Sequence, residues 1–80
     1  MSTSVIRMDP VAVEVSVSDV ALRVVMADGR ELSVPLVRLP RLLNATPAQR
    51  SHWRFIGRGE GIDWPDVDED VSVESLLRLH

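Results

Sequence analysis

The chain contains no cysteine, no lysine and no tyrosine among its 80 residues. Without cysteine there is neither a disulfide nor a thiolate zinc site. The two histidines, His52 and His80, are far apart and make no metal site without help from carboxylates. Aromatic residues are scarce, limited to Trp53, Phe55 and Trp64. No apolar run approaches the roughly 20 residues that a membrane span needs, so no membrane association is expected. The opening stretch, Met1 to Pro10, lacks the apolar segment of a signal peptide. The lack of cysteine suits a cytoplasmic protein.

Eighty residues make one small domain, 1–80. A chain of this size buries only about 60–65% of its unfolded surface and is marginal without disulfides, metal or self-association. With no disulfide and no obvious metal site, the size points to a homodimer, the alternative being a monomer with a tight core.

Charge is unevenly distributed. The nine basic residues are all arginine, against twelve acids, giving a net charge of −3. Residues 1–58 carry eight arginines and five acids; residues 59–80 carry one arginine and seven acids. Between Leu32 and Gly59 there is no acid, but there are Arg38, Arg41, Arg50, Arg54 and Arg58. A basic middle and an acidic end can neutralise each other within the fold or across a dimer. Nucleic-acid binding asks for a net basic domain. With an isoelectric point near 5.2, binding through the Arg-rich middle is therefore the second reading.

Periodicity gives the elements. Val11, Val13, Val15 and Val17 alternate with Ala12, Glu14 and Ser16, which predicts a strand with one buried face. Ser18-Asp19 reads as a tight turn, and Val20, Leu22, Val24 and Met26 as a second strand. Asp28-Gly29 predicts a hairpin with a two-residue type I′ turn, leading into Leu32, Val34 and Leu36. Pro35 and Pro40 end this meander; Leu39, ahead of a proline, is pushed out of helical geometry. A short helix is expected from Pro40 to about Ala45. Thr46-Pro47-Ala48-Gln49 is a capping box with proline at the first helical position, predicting a second helix to about His52.

Trp53-Arg54-Phe55 and Ile62-Asp63-Trp64 read as two short strands around the loop Gly57–Gly61, the latter stopped by Pro65. Ser72 is placed to cap a last helix that turns Val73, Leu76 and Leu77 inward, with Glu74 near its positive end. The class is α+β: a three-stranded antiparallel β-meander, short helices, a second short β-hairpin and a C-terminal helix.

The chain resembles a known prokaryotic family. Its motifs are Asp28-Gly29-Arg30, Val34-Pro35-Leu36, Leu39-Pro40-Arg41-Leu42, Ala45-Thr46-Pro47, Arg50, Trp53, Ile56-Gly57-Arg58-Gly59, Gly61-Ile62, Trp64-Pro65, Asp68-Glu69-Asp70-Val71-Ser72-Val73 and Leu76-Leu77. Together they are similar to domain of unknown function 2442, over about residues 11–79. That family has no established catalytic residues to carry over. The resemblance implies a small α+β domain, often encoded beside another small uncharacterised protein in a toxin–antitoxin-like pairing. Some longer relatives add a helix-turn-helix; none is expected in these eighty residues.

The candidate sites divide by their chemistry. Gly57-x-Gly59-x-Gly61 joins two strands, whereas a dinucleotide-binding loop joins a strand to a helix. Asp66-x-Asp68-x-Asp70 begins like a calcium loop, but Val71 and Leu77 stand where glycine and glutamate are required. His52 has no nucleophile spaced around it in a recognisable motif and reads as a helix end. No catalytic, cofactor or metal site is expected. The expected function is non-enzymatic protein binding, in the manner of an antitoxin-like member of a two-protein system. Its surface is assigned to Arg58, Glu60, Asp63, Trp64, Asp66, Asp68, Glu69 and Asp70, with a small basic protein encoded nearby as partner. Trp64 would be either core or the apolar anchor beside those acids.

Overall fold

Alternating apolar residues build the first sheet. In the computed structural model, which describes residues 10–79, β1 (Ala12–Val17), β2 (Ala21–Met26) and β3 (Glu31–Pro35) form an antiparallel meander in that order. Leu22, Val24, Met26, Leu32 and Val34 turn to one face and are fully or almost fully buried. Leu36 continues that face in a 3₁₀ turn, Leu36–Arg38.

Strand β1 departs from the expected alternation. Ala12 pairs with Met26 while Glu14 pairs with Val25, so Val13 is an extra residue in a β-bulge. The bulge places Ala12 and Val15 in the core and leaves Val13 exposed. The expected inward-facing quartet of odd-numbered valines is thus broken at Val13. The β2–β3 turn differs too. Gly29 alone has a positive φ, +94°, and Asp28 does not, so the loop is not type I′. The Gly29 N–H donates to the Met26 carbonyl at 3.0 Å and the Met26 N–H to the Arg30 carbonyl at 2.7 Å. This is a three-residue loop with glycine at its left-handed position.

The Asp28 carboxylate accepts from the Arg30 backbone N–H and side chain, and these contacts, the backbone N–H first, hold its pKa below the usual carboxylate value. Its contribution to stability is therefore present above the ordinary carboxylate pKa and is lost as pH falls through the lowered one.

Two short helices follow, α1 (Pro40–Leu43) and α2 (Pro47–Ser51). Thr46 forms the expected capping box: its hydroxyl accepts from the Gln49 N–H at 3.1 Å, and the Gln49 side chain accepts from the Thr46 N–H at 2.9 Å. The second sheet contains β4 (Arg54–Ile56) and β5 (Gly61–Trp64) as the expected hairpin. It also contains a third strand, β6 (Glu69–Ser72), formed by the end of the acidic run. A 3₁₀ turn, Pro65–Val67, and Asp68 in left-handed geometry (φ 53°) reverse the chain into β6. Ser72 then caps α3 (Val73–Leu79), its hydroxyl accepting from the Ser75 N–H at 3.0 Å. Val73 and Leu76 are buried.

Two joints hold the sheets together. The first is the Ala12 N–H, which donates to the Gly59 carbonyl at 2.7 Å and so ties β1 to the β4–β5 turn. Gly59 has a φ of +104°, and a Cβ there would collide with the Ala12 carbonyl oxygen. The second joint is Arg50, only 8% exposed. Its Nε donates to the Leu42 carbonyl at 2.9 Å, Nη2 to the Leu43 carbonyl at 2.8 Å and Nη1 to Asp19 Oδ1 at 3.0 Å. Its own backbone carbonyl accepts the Trp64 indole N–H at 3.1 Å.

Replacing Gly29 by valine is expected to cost about 1–2 kcal/mol through backbone strain alone, since the space around it is open. Gly59→Ala is expected to cost more, because strain and collision add. Thermal melting of both variants checks the order, and equal melting temperatures would contradict it. Arg50→Ala is expected to cost about 2–4 kcal/mol, as the Leu43 carbonyl loses its donor, the Leu42 carbonyl keeps only backbone N–H donors, and the arginine stem loses its packing. That corresponds to a melting temperature lower by more than about 10 °C in a domain this small. A shift within a few degrees of wild type would show that these contacts are incidental.

Candidate partner-binding surface

The Arg-rich middle does not form a patch of free cations. Arg50 is inside. Arg54 Nε donates to Asp63 Oδ2 at 2.8 Å across the β4–β5 pair. Arg41 donates to the Asp68 backbone carbonyl and stands 3.7 Å from its carboxylate. Arg38 and Arg58 alone of the five have side chains without a hydrogen-bond or ion-pair partner among the described residues.

The expected partner-binding residues are divided by the fold. Trp64 is 0% exposed and its one polar atom is committed to Arg50. It belongs to the core rather than to the surface as an apolar anchor: β5 turns the indole inward, into the buried cluster that holds Leu22, Leu36 and Ile62. Asp63 is neutralised by Arg54, and Asp66 Oδ2 lies 2.7 Å from His52 Nδ1. Asp68, behind Arg41, stands in the turn ahead of β6. Arg58 is exposed at the tip of the β4–β5 turn. Its backbone N–H donates to Glu60 Oε1 at 2.9 Å.

Glu60, Glu69 and Asp70 have no cationic partner among the described residues. They lie in the β4–β5 turn and on β6, at the edge of the second sheet. The acidic run is therefore not one cluster. Asp66 and Asp68 are tied back to the body of the protein, whereas Glu69 and Asp70 belong to an edge strand. Among the described residues no three His, Cys, Asp or Glu side chains gather as a metal site would require.

Sequence reading missed the surface beside these acids. Across the second sheet, Ile56, Gly61 and Ser72 are register partners in one row, and Arg54, Asp63 and Asp70 in the next. Both rows share a face, because side chains alternate along a strand. Ile56 is 45% exposed there, and Gly61 adds no side chain. The result is an open groove of about 300 Å³ lined by Ile56, Glu60, Gly61, Asp70, Val71 and Ser72. On the opposite face, Phe55, Ile62 and Val71 pair in register and pack toward the core. The spacing Ile56-x₄-Gly61 is the signal that could have revealed the groove, once β6 is recognised as a strand.

Comparison with known proteins places this architecture. A crystal structure of a protein of unknown function from Rhodospirillum rubrum is similar to it, with a TM-score of 0.74, 23% identity, and 89% of this chain and 88% of that chain covered. At that identity the likeness establishes the fold. No curated protein matches the chain. No helix among the described residues is long and apolar enough to cross a membrane. The family model described as protein of unknown function DUF2442 matches residues 12–80. That span runs from the first residue of β1 through α3 and takes in both sheets, the Gly59 joint and the Arg50 clasp. The chain belongs to the DUF2442 family.

Proposed function

We propose that this chain is a cytoplasmic, non-enzymatic protein-binding module that engages a small basic protein encoded beside it, as the antitoxin-like member of a bacterial two-protein system. The observation that carries this reading is the set of carboxylates without a cation among the described residues, Glu60, Glu69 and Asp70, at the edge of the second sheet. Unpaired charges of one sign steer an oppositely charged partner and raise its association rate. The charge balance of residues 59–80 supports the same reading. So does the pairing implied by the family. The absence of cysteine supports the compartment.

The nucleic-acid reading loses support from the arginines. With Arg50 buried, and Arg41 and Arg54 engaged by aspartates, two of the five remain for phosphate. Self-association belongs to the proposal as well. Val20 and Val37 are 74% and 72% exposed. They are neighbours at the end of the first sheet, where the Leu36 N–H donates to the Val20 carbonyl.

Size-exclusion chromatography with light scattering tests these statements together. The chain alone is expected at twice its 8.9 kDa mass, and with the product of the adjacent gene in a heavier complex whose association slows as salt rises. A DNA or RNA duplex is expected to leave its mass unchanged at physiological salt. Tight, salt-sensitive duplex binding together with no protein complex would overturn the proposal.

A further inference from the structure

The groove on the outward face of the second sheet has a chemistry of its own. A second hollow of about 170 Å³, lined by Pro10, Glu60, Ser72 and Glu74, shares Glu60 and Ser72 with it. The two form one continuous depression beside β6. Its floor is apolar at Ile56, whose side chain closes over Gly61 between β4 and β6. Its rim carries Asp70 and Glu60 near one part and Glu74 at the other. Among the described residues no arginine or histidine lines either hollow. Arg54, in the neighbouring row, is bound to Asp63, and Arg78 reaches Glu74 at only 3.7 Å.

We propose that this depression is the docking site for an extended segment of a protein partner in which an aliphatic side chain is flanked by arginine or lysine. This rests on the protein-binding reading and names the place and the chemistry of the contact. The aliphatic group sits against the exposed side chain of Ile56, where it covers apolar surface that otherwise faces water. The flanking cations reach Asp70 on one side and Glu60 on the other, which supplies the counter-charge that these two carboxylates lack among the described residues. An extended backbone suits the position, because β6 ends the sheet order β4-β5-β6 and leaves a strand edge along the depression. Charge complementarity selects the occupant: a nucleic acid or an acidic peptide would set like charges against the rim.

The probe is a short peptide of alternating Arg and Leu, titrated into the isotope-labelled full chain and followed by NMR of the backbone amides. Saturable shifts are expected at Ile56, Glu60, Gly61, Asp70, Val71 and Ser72, and peptides of alternating Arg–Ser or Glu–Leu are expected to bind about tenfold more weakly or not at all, the scale of one interface hot spot. Ile56→Ser and Asp70→Asn are each expected to weaken the Arg–Leu peptide by about the same factor with melting temperatures unchanged. Asp70 has an exposed side chain without a partner among the described residues, so Asp70→Asn keeps the test valid even if Ile56→Ser perturbs β4. Shifts centred on Arg38 or on Val20 and Val37, or equal binding of the Arg–Ser peptide, would overturn the assignment.

The complex with the adjacent gene product separates the two levels. If Ile56→Ser and Asp70→Asn weaken it, the groove is its site. If the complex forms with wild type and both variants alike, the groove assignment fails and the protein-binding reading stands. If wild type forms no complex, both fail.

Discussion

A guanidinium that is 8% exposed must be surrounded by acceptors, and the position of Arg50 follows from where those acceptors are. Two are the carbonyls at the end of α1: that of Leu43, and that of Leu42, which also accepts the Ala45 N–H. The third is Asp19 in the β1–β2 turn, and the arginine's own carbonyl takes the Trp64 indole N–H. One residue therefore fixes α1 against α2, α2 against the first sheet's turn, and β5 against α2. No buried side-chain polar atom among the described residues lacks a partner. A buried polar network stabilises when every member is satisfied and is costly when one is missing. Around this knot the apolar core closes, with Trp64, Leu22, Leu36, Leu42, Ile62 and Leu76 almost wholly removed from water.

The same constraint shapes the outside. Once Arg50 is committed to the interior and Arg54 and Arg41 to Asp63 and Asp68, Glu60, Glu69 and Asp70 have no cation of their own among the described residues. A charged edge strand serves a small sheet protein in any case, because it discourages pairing with other strands. Here it borders a groove lined by the exposed Ile56, so the edge offers an apolar contact and a counter-charge side by side. Edge protection alone requires no such groove.

Much of the fold was legible because local signals agreed. The capping box at Thr46, the serine cap at Ser72, and Pro40 and Pro47 at helix starts all mark their elements without tertiary help. The inward alternation of β2 and β3 was equally plain. What escaped was set by contacts that leave no mark in sequence. Val13 bulges outward in the strand whose first residue, Ala12, is tied to Gly59. Strand β6 was hidden because Glu69 and Asp70 look like loop residues; its pairing with β5 comes from the reversal at Asp68. Arg50 read as part of a basic stretch, since two of its acceptors are backbone carbonyls, which any residue supplies. Trp64 was the one site residue whose position the sequence left open between core and surface, and its indole bond to Arg50 puts it inside.

The central claim is that the Arg50–Trp64 knot makes the two sheets one cooperative unit. Native-state hydrogen exchange measures this directly, by following the Trp64 indole N–H beside the backbone amides of β2 and β5 as denaturant is raised. The account predicts that all three exchange only through global unfolding, with a common free energy. An indole proton that exchanges through a smaller opening, or a second sheet that loses protection before the first, would contradict it.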